Sequence, residues 1–254
     1  MADATHLRGG FHIKPLSRKP LGDEVYRTLR KMIVQGPIEP GVKVVEGQLA
    51  NSLGVSRTPV REAMKRMEYE GLLVSRPGYS TRVTIPSIAD IEEIYPLIAV
   101  LEGLAAQLAV PHLTNSDLGY MEELARAMAH HARRGETEEL VAADAQFHAV
   151  LHNRSQNPRV RSVVANLRRQ VERLEYTFFS FPQAVRGSLE RHKKLVRVLR
   201  RRDPRAAQRA LERQWDLGRK ALVEMLSRHG VPAGPGTRKG RDTSGQELAE
   251  VSVG

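Results

Sequence analysis

The chain has 254 residues, 41% of them hydrophobic and 5% aromatic, with no cysteine. That is enough for one large or two ordinary domains around an aliphatic core, and it excludes disulfides and thiolate metal sites. The formal charge of +11 favours a polyanionic partner, but it does not mark one domain: residues 183–220 hold 13 Lys+Arg against 4 Asp+Glu, and residues 21–86 hold 10 against 7. No apolar run approaches the ~18 residues a membrane span needs, and the N-terminus lacks a signal-peptide core. The expectation is a cytoplasmic protein that does not engage a membrane.

Residues 1–20 mix glycine, proline and basic residues without periodicity, and read as a flexible arm. From Leu21, the helical spacing of Val25, Leu29, Met32 and Ile33 predicts a helix, which Gly36, Pro37, Pro40 and Gly41 end. "EGQLANSLGV" predicts a short helix with Leu49, Ala50 and Leu53 inward, closed by Gly54. "VSRTPVREAMKRMEYEGLL" (55–73) predicts the next, with Ser56 as its cap and Pro59 in the first turn, where amides lack helical partners anyway. "LLVSR" and "STRVTI" read as two short strands joined through "PGY". Placed at 100° per residue, Val60, Ala63, Met64 and Met67 fall on one side of the third helix, and Arg57, Thr58, Arg61 and Lys65 on another. Such a stripe alone describes any solvated amphipathic helix. Three helices and a hairpin in about 65 residues turn it into a DNA-reading surface: a winged helix-turn-helix domain over 21–86, with a small β-hairpin wing. Arginine's planar fork suits guanine, Ser56 and Thr58 suit phosphates, and the hairpin tip at Arg76, Pro77, Gly78 and Tyr79 suits the minor groove.

From Ser87 the pattern is helical. Ser87/Asp90 and Thr114/Asp117 are capping-box starts, and helices are expected near 88–110, 115–133, 137–153, 158–178, 184–202 and 204–229. Together they make an all-α antiparallel bundle over 87–230. Residues 231–254 read as a disordered tail by composition. The fold class is therefore mainly α. The basic run "RHKKLVRVLRRRDPR" reads as a solvated helix face.

Polar residues interrupt three apolar stripes of this bundle: Asp144 and His148 between Val141 and Leu151, His192 between Leu189 and Val196, and Gln214 between Leu211 and Gly218. Asp144 and His148 share a helix face, and burying them unpaired is costly. Two readings stand. One is a buried Asp–His hydrogen bond without metal; the other is a divalent ion (Zn, Ni or Mn) on Asp144, His148 and His192. His152, one turn beyond His148, is placed to serve as a substitute ligand but is expected to face outward, and His130 and His131 to be solvated.

"EVYRTLRKMIVQGPIEPGVKVVEGQLANSLGVSRTPVREAMKRMEYEGLL" resembles the winged helix of GntR-family bacterial transcription regulators. "DIEEIYPLIAVLEGLAAQLA", "ADAQFHAVLH", "NPRV" and "LERHKKLV" resemble the FCD effector domain of its FadR-type branch, over about 87–225. The resemblance implies DNA contacts from Ser56, Arg57, Thr58 and Arg61, a wing at Pro77 and Gly78, and a metal on Asp144, His148 and His192 carrying a small carboxylate effector. This sequence departs from the family at three places. Gly47 stands where some members have a base-contacting arginine. Gln214 stands where a fourth histidine ligand is expected, which places it in the effector pocket. Ile98, four residues before Glu102, stands where many members hold the effector with an arginine. A metal-free pocket for a less acidic or larger effector therefore competes with the acid-on-metal arrangement.

The function expected is that of a ligand-responsive regulator, not an enzyme. It would bind a pseudo-palindromic double-stranded DNA operator as a homodimer, with repression relieved by a small-molecule effector as the family's commonest mode. Two other classes remain: a metal-dependent enzyme using Asp144, His148 and His192, and an architectural DNA-binding protein without a ligand. The latter would have a bundle filled by apolar side chains.

Overall fold

The computed structural model describes residues 21–75 and 80–228. The expected arm at 1–20, the hairpin tip with Arg76, Pro77 and Gly78, and the tail at 231–254 lie outside the described residues. The chain divides into two compact units between Ile85 and Pro86.

The first unit runs α1 (Leu21–Gln35), β1 (Lys43–Val44), α2 (Glu46–Leu53), α3 (Arg57–Tyr69), β2 (Leu73–Ser75) and β3 (Thr81–Val83). The hairpin is present, and the sheet has a third strand the sequence reading missed: the order is β1-β3-β2, all antiparallel. Two residues are too few to show a period, so "KV" carried no signal. Gly54 closes α2 at φ 64 and sends the chain into α3. This left-handed conformation is one that a residue with a Cβ adopts only at a cost. Ser56 stands at the cap position of α3, but its hydroxyl makes no capping bond. Leu49 and Leu53 are half-buried, leaving Ala50 as the buried residue of α2.

Val25, Leu29 and Ile33 of α1 and Val60, Ala63 and Met67 of α3 are buried together with Leu72, Leu73 and Val83. Each large aliphatic side chain sealed this way contributes roughly 1.5–3 kcal/mol. A polar clamp crosses the same α1–α3 seam. The Tyr26 hydroxyl donates to the buried Glu70 carboxylate at 2.6 Å, Arg30 and Arg66 lie 3.6 Å from that carboxylate, and the Arg66 guanidinium sits 3.7 Å over the Tyr26 ring. Burial, then the bond to Glu70, push the Tyr26 phenol up to about 12. Tyr26→Phe removes a hydrogen bond to a charged group, and is expected to destabilise this unit by about 1.5–3 kcal/mol. Urea unfolding followed by circular dichroism measures this; an unchanged midpoint would mean the arginines alone hold Glu70.

The second unit is a six-helix bundle: α4 (Ile88–Ala109), a 3-10 turn (Val110–His112), α5 (Asn115–Arg134), α6 (Thr137–Arg154), α7 (Pro158–Phe179), α8 (Pro182–Leu199) and α9 (Pro204–Arg228). Both capping boxes form. Ser87 N–H donates to Asp90 at 2.7 Å and Thr114 N–H to Asp117 at 2.7 Å, with the return bonds in place. Helix α8 begins at Pro182, two residues earlier than expected, because proline is suited to the first helical position. It also ends earlier, at Leu199. α4 packs most extensively on α9, and the Glu212 side chain of α9 lies against Gly103. A Cβ there would lie 2.7 Å from Glu212 Cγ.

The expectation that no segment is apolar enough for a membrane span needs correction. Ile88–His112 has the length and, at a mean hydropathy of 1.5, the composition of one. Its apolarity has another use: Ile91, Tyr95, Ile98, Ala106 and Ala109 belong to the bundle core, and Glu102 is buried among them.

Candidate functional site

On α3, Arg57, Thr58, Arg61 and Lys65 are exposed, as is Ser56 before it, while Val60, Ala63, Met64 and Met67 are buried on the opposite side. Anchored along one face, the helix presents a cationic, hydrogen-bonding face to solvent. Arg61 is not loose. Its Nε donates to Glu46 Oε2 at 2.9 Å and its Nη2 to Glu46 Oε1 at 2.8 Å. This bidentate pair uses one edge of the guanidinium and leaves the Nη1/Nη2 end open, the end that fits the O6/N7 pair of guanine. The hydrogen bond from Arg61 is the main reason the Glu46 carboxyl lies below its ordinary value. The position of Gly47 also has a structural consequence. A Cβ on Gly47 would meet Arg57 Nη2 at 3.4 Å, so the Arg57 guanidinium occupies the space over this glycine.

In the bundle, the three residues expected from separate stripes come together. His192 Nε2 lies 3.1 Å from Asp144 Oδ1 and 3.4 Å from His148 Nε2, and His148 Nε2 lies 4.0 Å from Asp144 Oδ2. All three are buried. Gln214 joins them, with its Nε2 3.2 Å from His192 Nε2 and its Oε1 buried without a partner.

The cluster is larger than the sequence reading anticipated. Arg168 of α7 donates to Asp144 Oδ2 at 2.9 Å and Glu175 Oε1 at 3.0 Å, and approaches Glu102 at 3.5 Å. Glu102 of α4 also meets His148 Nδ1 at 3.4 Å and His152 Nε2 at 2.9 Å. His152 therefore points inward to Glu102, contrary to expectation, because a fully buried carboxylate draws an imidazole to it. His131 is likewise not simply solvated, since its Nδ1 lies 2.7 Å from Glu136. The signal Arg168 and Glu175 carry is one of spacing: Val164, Arg168, Val171, Glu175 and Phe178 form one stripe at intervals of four and three on α7.

Electrostatics divide these carboxylates. Burial opposes ionisation of Glu102, but its interactions with His152 and His148 outweigh it and hold the carboxyl well below the usual range. Burial likewise opposes Asp144, but the His192 hydrogen bond, His148 and Arg168 depress it. Glu175 goes the other way. Burial pushes it up to about 8, helped by Asp144 and only partly offset by Arg168. Burial also lowers His148, favouring its neutral, ligating form.

These atoms fit a metal. His192 Nδ1 faces the Ser188 carbonyl oxygen at 2.9 Å, so that nitrogen carries a proton. Its Nε2 then faces the Asp144 carboxylate. An imidazole with an oxygen acceptor on both sides is satisfied by a second proton, or by one proton and a metal. The Asp144, His148 and His192 group can hold a divalent ion, and turning over the Gln214 amide would bring its oxygen to the same centre. The cluster lines a pocket that opens to solvent, with about 440 Å³ free of protein atoms when the open part is counted. It is walled by Tyr95 of α4, Phe178 and Phe179 of α7, Ser188 and Arg191 of α8, and Trp215 and Gly218 of α9. A ligand-free architectural protein called for a filled bundle, and a cavity lies here instead.

A winged helix-turn-helix followed by a helical bundle with a polar internal pocket defines the class: a DNA-binding transcription regulator. Residues 21–83 match the family described as bacterial regulatory proteins, gntR family, and residues 93–216 match the FCD domain. The HTH-type transcriptional regulator YdhC of Bacillus subtilis is 28% identical over 187 residues, covering 72% of this chain and 83% of YdhC. A probable D-xylose utilization operon transcriptional repressor of Paenarthrobacter nicotinovorans is 30% identical over 201 residues, covering 78% of this chain and 87% of that repressor. The structure of E. coli McbR/YncC shares the fold, with a TM-score of 0.69 at 24% identity over 82% of this chain and 99% of that one. The chain belongs to the GntR family of bacterial regulators and carries an FCD domain. These relatives are named as transcription regulators, which removes the enzyme reading.

Proposed function

We propose that this regulator binds a pseudo-palindromic operator as a homodimer, reads it with the exposed face of α3, and changes its DNA affinity when a small metabolite occupies the pocket of the bundle. The observation that carries the reading is the pairing of two built surfaces on one chain: an oriented arginine on an anchored helix, and a cavity walled by buried polar groups. Ser56, Arg57, Thr58, Arg61 and Lys65 are assigned to DNA, with Arg76 and Gly78 as wing contacts. Leu97 and Val100, exposed on one side of α4, supply the apolar surface a self-association face needs. Fluorescence anisotropy on a site selected from random duplexes tests the DNA reading, with sedimentation analysis for the dimer. A selected site without two-fold symmetry would count against it.

Asp144, His148 and His192 would hold a divalent ion, with the Gln214 amide oxygen as a further donor. The ion would supply a positive centre for an anionic or carbonyl oxygen of the effector. Protein purified without chelator is expected to carry about one metal ion per chain by elemental analysis, lost on Asp144→Asn, and to bind it more weakly as pH falls and the imidazoles protonate. Metal-free wild-type protein that takes up neither Zn, Ni nor Mn would leave the proton-satisfied Asp–His cluster as the correct reading.

A further inference from the structure

The proposed metabolite pocket contains a cation that makes no hydrogen bond or ion pair with the cluster beside it. Arg191 of α8 lines the pocket. Its Nε is buried without a partner. The nearby carboxylates are committed: Asp144 to Arg168 and His192, Glu175 to Arg168, and Glu102 to Arg168 and His152. Among the described residues no hydrogen bond or ion pair reaches Arg191. Two other cations of the basic run to which it belongs sit on the helix surface. Lys193 pairs with Glu190 and Arg200 with Glu122, both in the open. Arg191 departs from that pattern: it is half-buried, its Nε is sealed from water, Asp144 attracts it without touching it, and its guanidinium is left to receive an anion that enters the pocket.

The rest of the wall is apolar. Phe178, Phe179 and Trp215 are buried, and Tyr95 meets Trp215 edge to face with ring centroids 5.7 Å apart. Gly218 opens the floor: a Cβ added there would have no neighbour within 4 Å. A small, strongly hydrated dianion would leave these rings unused. A carboxylate with an aromatic or similarly flat apolar body would use both parts of the site.

We infer that the effector pocket selects a monocarboxylate with an aromatic or flat apolar body, its acid group held by Arg191 and its body by Phe178, Phe179 and Trp215. This rests on the reading of the bundle as an effector domain, and it adds the ligand's class and the residue that anchors it.

Trp215 is the chain's single tryptophan, so its fluorescence reports occupancy directly. The full chain, in EDTA to exclude coordination to metal, is titrated with phenylacetate and with its neutral twin phenylacetamide. The acid is expected to bind at least about tenfold tighter, as a charge-assisted bidentate contact requires. Arg191→Gln should bring the acid down to the amide's affinity without moving the amide, and Arg191→Lys should retain part of the preference. Gly218→Leu should abolish binding of both, with the thermal midpoint unchanged or raised by the better helix former. Equal binding of acid and amide by the wild type, no binding of either, or a preference that survives Arg191→Gln would each overturn the assignment. Operator affinity with and without phenylacetate separates this from the parent reading. Occupancy seen by Trp215 without any change in DNA binding would sink the regulatory reading and leave the pocket assignment standing. An operator response to some other metabolite, with no acid preference at Trp215, would do the reverse.

Discussion

Arg168→Met is expected to destabilise the helical unit by about 3–5 kcal/mol at neutral pH, the usual cost of removing one partner from a buried ionic cluster. Methionine keeps most of the volume, so the cavity contribution is small and the loss is electrostatic. Among the described residues, Arg168 is the one guanidinium that touches Asp144 and Glu175 and approaches Glu102. Without it these buried carboxylates lose their shared counter-ion. The pH dependence gives the test its sign. In the wild type, Asp144 and Glu102 lie below their ordinary values, so their contribution is present above the unfolded carboxylate range, near 4, and lost as pH falls below it. Glu175 is raised to about 8, so its contribution is full below its unfolded value and lost as pH rises from there through about 8. Removing Arg168 raises all three carboxylates and moves more of the loss into the neutral and alkaline range. The gap between wild type and variant should therefore be smaller at pH 5 than at pH 8.5. Urea unfolding at both pH values measures it. A loss below about 1 kcal/mol, or one equal at both pH values, would show that water already screens the cluster.

The legible parts of the sequence were those in which local chemistry decides the outcome. Ser87/Asp90 and Thr114/Asp117 form capping boxes within four residues, and the opposed faces of α3 follow from helical spacing alone. Asp144, His148 and His192 were visible because each is a polar residue inside an otherwise apolar stripe. Arg168 and Glu175 lie in a stripe of the same kind, but "NLRRQVERLEY" is so rich in charge that the inward ones do not stand out from the solvated ones. Arg191 was hidden by the same effect within "ERHKK". What distinguishes an inward arginine from its exposed neighbours is the helix packed beside it, and that is a tertiary fact. His152 misled for a related reason. Its destination was Glu102, 50 residues earlier on α4, and no local period points there. β1 exists because β3 lies beside it, and a two-residue strand has no signature of its own.

The second large effect belongs to Arg61. Arg61→Ala is expected to weaken operator binding roughly ten- to a hundredfold, the loss typical of a bidentate arginine–guanine contact, while binding to unrelated duplex falls much less. The geometry adds a stronger demand, because Glu46 holds the Nε/Nη2 edge and leaves the Nη1/Nη2 end free. Glu46 then acts as an orienting group: it fixes the plane of the guanidinium before DNA arrives and reduces the side-chain entropy lost on binding. A pure competitor would instead have to be displaced. The two roles predict opposite signs for Glu46→Ala. An orienting carboxylate makes that variant less specific, so the ratio of operator to random-duplex affinity falls several-fold, even though removing a negative charge near phosphates raises affinity for all DNA. A competing carboxylate makes the ratio rise. In an Arg61→Ala background, Glu46→Ala should leave the ratio unchanged, since nothing remains to orient. Anisotropy titrations of the four proteins against operator and scrambled duplex, at two salt concentrations, complete the cycle. A specificity ratio that rises on Glu46→Ala, or that falls equally with and without Arg61, would refute the orienting role, the first by making Glu46 a competitor and the second by making its effect independent of Arg61.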